Sequence, residues 1–306
     1  MANFITNILE IRAQGEDLTR ILKHIQRDGD VYGSIDFNKL IPMPDGLDLT
    51  DGSITDDAIL AYVSHLRNEI LAHPARPGDV HDIKQYVDAA ATVLKSSFGI
   101  KEKHYLSKEE IAASAERYDK SSEDFVALGK QYLDNQLSYG APTWYKWCYK
   151  NWGTKWNVED GSKLRDDNTL HFETAWSAPL PILNALSKKF PTVAFFHQWA
   201  DENLGYNVGQ LTLLNGGIIQ KNIPKEGSKD AYDLSFQIQD LSPEDMCLRY
   251  SAKEGTYVYD ESLEVDWEKC EPEKPHVDNL ISQAQEKTLP GADKLKALPA
   301  KDEPVR

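Results

Sequence analysis

The chain has 306 residues, of which 41% are hydrophobic, and its formal net charge is −15 at pH 7. This length suffices for one large domain or two ordinary ones, and this composition can supply a hydrophobic core. The acidic balance excludes nucleic-acid binding through a broad basic surface, because neutralising phosphates requires clustered lysine and arginine. It favours a basic protein surface as partner, although an acidic surface that serves only solubility is the simpler alternative.

Membrane and disulfide classes are also excluded. The sequence contains no run of eighteen apolar residues, so no membrane-spanning helix is predicted. Its first residues lack the basic and apolar regions of a signal peptide, which predicts the cytoplasm of a host cell. Cys148, Cys247 and Cys270 are odd in number and never form a Cys-x-x-Cys pair, so we expect free thiols. No glycine-rich phosphate-binding motif occurs, and no cofactor is expected.

The first 49 residues are predicted to begin a sheet. Residues 4–12 alternate loosely and form a strand, and an amphipathic helix follows with Leu18, Ile21 and Ile25 at helical spacing. Prolines at positions 42 and 44 predict an extended segment over residues 35–44.

Residues 50–143 are predicted to be a helical insertion. Apolar stripes at helical spacing indicate four helices, and the third begins with a capping box at residues 107–110.

Large aromatic side chains are concentrated in residues 144–157, which hold four of the seven tryptophans. The spacing of Trp144, Trp147 and Trp152 predicts a short helix with one aromatic face, and Gly153 is expected to end it. Such a cluster is typical of the middle of a core.

The rest of the core, residues 144–225, is predicted to alternate strands and a helix. Strands are expected at 154–159, 169–176, 192–200 and 205–214, with a helix beginning at Pro179. An Asn-Gly-Gly turn at residues 215–217 adds a hairpin arm at residues 218–222.

Without the insertion the predicted order is βαββαβ, the split-βαβ arrangement. The predicted fold class is therefore α+β, with a ferredoxin-like antiparallel sheet, a large helical insertion and an extra C-terminal hairpin. "Ferredoxin-like" describes only the topology, since three scattered cysteines cannot hold an iron–sulfur cluster in the usual four-thiolate way. Residues 226–270 are predicted to form a small α/β extension. Residues 271–306 are predicted to be a flexible tail with a short helix near residues 277–286.

Several short pieces together resemble one known family. They are Asn3-Phe4, residues 37–44, the run Asn-Trp-Gly-Thr-Lys-Trp-Asn at residues 151–157, residues 172–176 with Pro179, and residues 200–203. They are similar to the YubB-type family of phage, plasmid and bacterial accessory proteins, whose domain is described as ferredoxin-like. The likeness covers about residues 1–222, interrupted by the helical block. It implies a fold and a mobile-element origin, and it transfers no catalytic residue.

Two groups of residues are candidates for a binding surface. In the aromatic run, Lys155 and Asn157 lie beside indole rings, as in a single-stranded nucleic-acid platform or a partner surface. Farther on, His171 and Glu173 share one face of a strand, and His197 is expected on a neighbouring strand near two acidic residues, a combination that suits metal binding or proton transfer. The candidate binding residues are Trp152, Lys155, Trp156, Asn157, His171, Glu173, Asp201 and Glu202.

Each group also has a purely structural interpretation. The aromatic residues suit an ordinary core, the strand residues suit a half-exposed sheet face, and residues 201–205 suit a turn. No His-Glu-x-x-His or His-x-His spacing occurs, so we assign neither a catalytic residue nor a metal site.

Three hypotheses of function follow. The first is a non-catalytic phage or plasmid accessory protein that binds a host protein or complex, through a basic surface of that partner, and inhibits a defence or nucleic-acid-processing complex. The acidic surface and the helical insertion are the expected contact regions. The second is a nucleic-acid-binding module that uses the sheet face, which the net charge makes a weaker hypothesis. The third is a small-molecule or metal-dependent enzyme using His171, Glu173 and Asp201.

Overall fold

The computed structural model of the protein describes residues 3–30, 32–72, 77–97, 105–158, 162–166 and 168–264. A first compact unit runs from Met1 to Asp260, and a second from Glu261 to Arg306. The described part of the second unit contains one helical turn at Glu261–Leu263. The predicted flexible tail, its short helix and Cys270 lie outside the described residues.

The first unit contains eight helices and eight strands within its described residues. The helices are α1 (Gly15–Ile25), α2 (Ser53–Ala72), α3 (Pro77–Ser97), α4 (Lys108–Glu116), α5 (Ser122–Tyr139), α6 (Trp144–Asn151), α7 (Leu180–Lys189) and α8 (Lys229–Gln239). The strands are β1 (Phe4–Arg12), β2 (Lys163–Asp166), β3 (Thr169–Ala175), β4 (Ala194–Asp201), β5 (Gly209–Leu214), β6 (Gly217–Asn222), β7 (Leu248–Ser251) and β8 (Thr256–Tyr259).

Six strands form one antiparallel sheet in the order β2-β3-β1-β4-β5-β6. Its first four strands, with α1 and α7 as crossovers, reproduce the βαββαβ order. The predicted α+β class with a ferredoxin-like antiparallel sheet is confirmed. The predicted turn at residues 215–217 joins β5 to β6, with positive φ at Asn215 and Gly216.

One face of this sheet, which we call the covered face, packs against the main hydrophobic core. Ile5, Leu9 and Ile11 point to this core from β1, because alternate residues of a strand share a face. The same core includes buried residues of α1 and α7 and the aromatic residues Trp147 and Trp152 of the α6 region. The ring of Trp152 packs edge-on against Phe37 and Trp147, at centroid distances of 5.8 and 5.6 Å.

Helices α2 to α5 have a hydrophobic core of their own. A β-carbon at Gly129 of α5 would clash with the carbonyl oxygen of Ala58, so glycine permits the close approach of α5 to α2. Helix α4 begins with the predicted capping box between Ser107 and Glu110. Polar contacts that join this block to its surroundings include those from Asn135 to the carbonyls of Gly46 and Pro142 and from the hydroxyl of Tyr132 to the carbonyl of Thr50.

The remaining described residues of the first unit form α8 and a two-stranded hairpin, β7-β8. Helix α8 lies against the second face of the large sheet, which we call the open face. It packs there through Leu234 and Ile238 onto Ile8 and Ala200. The open face is therefore shielded above β1 and β4.

Two predictions of secondary structure are wrong. Residues 154–158 are irregular, and the strand that pairs with β3 lies later, at Lys163–Asp166. Residues 37–39 form a single 3-10 turn within the segment 35–44 predicted as extended, since only residues that precede a proline are restrained from helix. Among the described helices, none is long and apolar enough to cross a membrane.

Candidate binding surface

Strand register assigns each polar residue of the sheet to one face. On β1, Ile5 pairs with Asp201 of β4, while its neighbour Thr6 pairs with Glu173 of β3. Since Ile5 belongs to the main core, Asp201 projects from the covered face. Glu173 projects from the open face, together with His171 two residues earlier.

A cleft of about 740 Å³ lies on the open face. Its floor includes Thr6 of β1 with His171 and Glu173 of β3, and its outer wall includes Lys163 and Arg165 of β2. Its remaining lining includes Phe4, Trp156 and the end of α8 around Asp240. We call this cavity the sheet-face cleft, and its volume is in the range of small-molecule sites.

Positive charge is concentrated at one end of the sheet-face cleft. Lys163 pairs directly with His171 across the two strands, and Arg165, two residues later, lines the same cleft. Both β2 cations are exposed, and neither has a carboxylate partner among the described residues. In a chain with a formal charge of −15, these two neighbouring cations form a local basic patch in the cleft.

Three aromatic rings surround the ammonium group of Lys155 beside the sheet-face cleft. Its Nζ lies 4.5 Å from the ring centroid of Trp156, 4.7 Å from that of Trp176 and 5.9 Å from that of Tyr145. Each distance is within the range of a cation–π interaction. We call these four residues the aromatic–lysine cluster. Tyr149, which is 58% exposed, lies at the rim of this cluster, in a shallow pocket shared with Tyr145 and Trp176.

Trp176 is held in an unfavourable backbone conformation while 37% of the residue stays exposed. Its φ is +71°, a value that costs a bulky residue on the order of 1–3 kcal/mol. Its N–H donates to the carbonyl oxygen of Asn3 at 2.8 Å, and its carbonyl oxygen accepts from Nδ2 of Asn207 at 3.2 Å. The surrounding loops therefore fix the position of this indole.

Asp201 joins the two residues that hold Trp176. Its carboxylate, which is 6% exposed, accepts hydrogen bonds from Nδ2 of Asn3, the N–H of Asn203 and Nδ2 of Asn207, at 2.9–3.3 Å. The main role of Asp201 in the structure is thus to position loops. The adjacent Glu202 is exposed, and its N–H donates to the carbonyl oxygen of Phe4.

Two of the predicted binding residues are structural instead. Trp152 is 2% exposed, and its Nε1 donates to the carbonyl oxygen of Ile41 at 2.8 Å. Asn157 accepts from the backbone N–H of Phe37 and donates from Nδ2 to Asp36. Both residues anchor the segment after α6 to the loop after α1.

The predicted histidine and carboxylate set does not assemble. His171 and Glu173 lie on the open face, whereas His197 and Asp201 lie on the covered face. Among the described residues, no group of three or more histidine, cysteine and acidic side chains could hold a metal ion. The arrangement proposed for an enzyme using His171, Glu173 and Asp201 is therefore not present.

His197 is a buried, neutral residue. Its Nε2 donates to Oδ1 of Asn7 at 3.0 Å, because Nδ2 of Asn7 already donates to Ile5 and to Thr174. Its ring stacks on Trp199 at 5.3 Å. Complete burial lowers the pKa of His197 to about 3.

Cys148 is also unsuited to catalysis. Burial raises the pKa of its thiol to about 12, so the reactive thiolate is not formed near pH 7.

Four residues of this surface were missed by sequence reasoning: Tyr145, Lys163, Arg165 and Trp176. Lys163 and Arg165 flank Leu164, an alternation that signals a half-buried strand, but the prediction placed the strand nine residues earlier. No local pattern marks Trp176, since its conformation depends on Asn3 and Asn207, which are distant in sequence.

The sheet order and the cleft define an α+β protein with a ferredoxin-like sheet and a candidate binding surface on its open face. A family model described as the ferredoxin-like domain in Api92-like protein matches residues 151–242. The match spans β2 to α8 and includes Lys155, Trp156, Trp176 and both β2 cations.

The crystal structure of a protein api92 from Yersinia pseudotuberculosis is similar to this chain with a TM-score of 0.31 and 11% sequence identity. The similarity covers 74% of this chain and 99% of that chain. No curated protein matches the chain significantly.

Proposed function

We propose that this chain is a non-catalytic phage or plasmid accessory protein that binds a host protein. We further propose that binding inhibits a host defence or nucleic-acid-processing complex. The mobile-element origin rests on the resemblance of the sequence to the YubB-type family. The binding activity rests on a structural observation, the strained and exposed Trp176.

Trp176 supports binding because its conformation is costly and its burial is incomplete. A residue with positive φ persists only when its surroundings impose it, and such residues cluster at functional sites. Here the imposed conformation leaves an indole at the surface beside Tyr145 and Tyr149. Tryptophan and tyrosine are the side chains most enriched at the centres of protein interfaces.

The electrostatics of the chain indicate the kind of partner. A formal charge of −15 steers basic surfaces towards the protein at low ionic strength. Within the first unit, acidic residues far outnumber basic ones in residues 226–260. A host protein with a basic surface is therefore the partner we propose, with the aromatic rings as anchors and the charges as steering groups.

The test is affinity purification of the tagged full-length protein from phage-infected or plasmid-bearing host cells, with nuclease treatment and mass spectrometry. We expect one dominant, nuclease-resistant protein partner, and we expect the purified pair to reassociate in vitro. The purified partner complex should lose activity when this protein is added. Absence of any partner above background would contradict the proposal.

Trp176→Gly is the decisive variant. Glycine adopts positive φ without strain, so this substitution removes the indole without imposing a new backbone cost. We expect at least a tenfold loss of affinity for the partner, a typical effect for an anchoring tryptophan. Tyr32→Ala is the control, since Tyr32 is 47% exposed and belongs to the loop after α1. Unchanged affinity in Trp176→Gly would place the contact elsewhere.

A further inference from the structure

The sheet-face cleft contains a second potential site, which the proposed protein contact does not use. That contact is anchored at Trp176 with Tyr145 and Tyr149, which lie in a separate shallow pocket and do not line the sheet-face cleft. Lys163 and Arg165 have no carboxylate partner among the described residues. Two neighbouring exposed cations at one end of a cavity are suited to binding a negatively charged group of a ligand, such as a phosphate.

The groups that line the cleft are ordered along β3. Lys163 pairs with His171, and Arg165 lies in the register irregularity between the pairs Leu164–Leu170 and Asp166–Thr169, so both cations lie beside the first half of β3. Glu173 and its partner Thr6 come next, one pair farther along the same face. The basic end of the cleft is therefore followed by a hydroxyl and a carboxylate.

Aromatic rings lie beyond the polar pair. Phe4 pairs with Ala175 at the end of β3, and it is 40% exposed. Trp156 reaches the same level, because the preceding residue, Lys155, donates its N–H to the carbonyl oxygen of Ala175. Ala175 lies four positions after His171, a rise of about 13 Å along the strand. One end of the cleft is thus cationic and the other aromatic.

We propose that the sheet-face cleft binds a nucleotide, with its phosphate at Lys163 and Arg165 and its base against Trp156 and Phe4. The order of groups in the cleft, cationic, then polar, then aromatic, matches the order phosphate, sugar, base. Glu173 and Thr6 lie where the sugar hydroxyls would bind, and Asp240 at the end of α8 completes the wall. Stacking on an aromatic ring is the common way in which proteins hold an unpaired base.

The net charge of the chain limits the kind of nucleotide ligand. A long polyanion would contact acidic surface beyond the cleft, whereas one nucleotide unit meets the local cations alone. The bound nucleotide can be a free mononucleotide or the phosphorylated terminal nucleotide of a single strand. The two sources share the same chemistry and are distinguished by the experiment.

The test is isothermal titration calorimetry of the full-length protein at low ionic strength. The probes are the four 5′-mononucleotides, the matching nucleosides, inorganic phosphate and 5′-phosphorylated tetranucleotides. At least one mononucleotide should bind at least tenfold more tightly than its nucleoside and than inorganic phosphate. A tetranucleotide that binds more tightly than the mononucleotide, with the same dependence on Lys163, would identify a strand end as the source. Equal affinities would identify the free nucleotide.

Matched variants test the position of the site. Lys163→Ala and Arg165→Ala should each weaken binding about tenfold, the cost of one charge-assisted hydrogen bond. Both residues are exposed, so these variants should fold normally. Lys221→Ala, an exposed lysine on the opposite edge strand, is the control and should bind as the wild type does. Trp156→Leu should weaken binding, and Trp156→Phe should restore most of it.

Three results would overturn the proposal. The first is absence of saturable binding by every mononucleotide at millimolar concentration. The second is inorganic phosphate binding as tightly as the nucleotides, since the base would then contribute nothing. The third is nucleotide binding that survives both Lys163→Ala and Arg165→Ala, which would place the ligand outside the cleft.

Discussion

The two faces of the large sheet use similar residues for opposite purposes. His197 on the covered face is fully buried, hydrogen-bonded to Asn7 and stacked on Trp199. His171 lies on the open face, opposite Lys163, and lines a cavity. A shift of one residue in the register of either strand would move its histidine to the opposite face. The comparison shows that the face of the strand, and not the type of residue, separates structural from functional candidates here.

The sharpest test of this comparison is a pair of neighbouring phenylalanines on β4. Phe195 is completely buried in the main core, whereas Phe196 lies on the open face under the guanidinium of Arg12. Phe195→Ala should reduce the free energy of unfolding by about 3–5 kcal/mol, since it removes a buried ring and leaves a cavity. Phe196→Ala should cost about 1 kcal/mol.

Urea denaturation measures both values, with unfolding followed by tryptophan fluorescence. A smaller loss for Phe195→Ala than for Phe196→Ala would mean that the faces are assigned the wrong way round.

Acid stability offers a second test of the covered face. The pKa of His197 is about 3 in the folded state and about 6.5 in an unfolded chain. Below pH 6.5 the unfolded state therefore binds more protons, and stability falls with pH until about pH 3. Between pH 7 and pH 4 this single residue should cost about 3 kcal/mol of stability.

His197→Gln should remove this part of the acid sensitivity, because glutamine can still donate to Asn7 and does not titrate. The measurement is the free energy of unfolding from urea titrations between pH 7 and pH 4. The wild type should lose more stability over this range than the variant. Parallel losses in the two proteins would contradict a neutral, buried His197.

The positioning role of Asp201 is tested by comparing it with Glu202, the next residue on the chain. Asp201→Ala removes the acceptor of three hydrogen bonds and should cost about 2 kcal/mol. Glu202→Ala alters an exposed side chain and should change stability by less than about 0.5 kcal/mol. Thermal denaturation suffices to separate the two, and equal melting temperatures would contradict the positioning role of Asp201.

Local sequence patterns predict most of the fold because its elements follow local rules. Alternation identifies β1 and β3, the capping box at Ser107 marks α4, and the Asn-Gly turn joins β5 to β6. The irregular segment at residues 154–158 could not be predicted in this way. Its polar groups are satisfied by distant partners, since Thr154 donates to Ala175 and Asn157 accepts from Phe37.

The candidate surface is less predictable than the fold. Strand alternation correctly places His171 and Glu173 on one face, but it does not reveal which face the helices cover. It also cannot show that α8 covers part of the open face, leaving the cleft beside it. The conformation of Trp176 is held by Asn3 before β1 and Asn207 before β5, two residues that are distant in sequence, so it is a property of the tertiary structure alone.

Two substitutions of Trp176 separate the backbone strain at this residue from the role of its indole in binding. The difference in stability between them is the smallest effect that we expect. Trp176→Ala removes the indole but keeps a β-carbon at φ +71°, whereas Trp176→Gly removes both the indole and the strain. The glycine variant should therefore be more stable than the alanine variant by about 1 kcal/mol. Chemical denaturation of the two variants measures this difference.

Both variants lose the same ring contacts with Tyr145 and Lys155. Their difference in stability therefore reports the backbone alone, and both should bind the protein partner equally weakly. Equal stability of the two would mean that Trp176 is not strained, and the argument from strain to function would fail. A glycine variant that is stable but does not bind the partner would show that the fold does not need the indole. The strained tryptophan would then be retained for recognition of the partner.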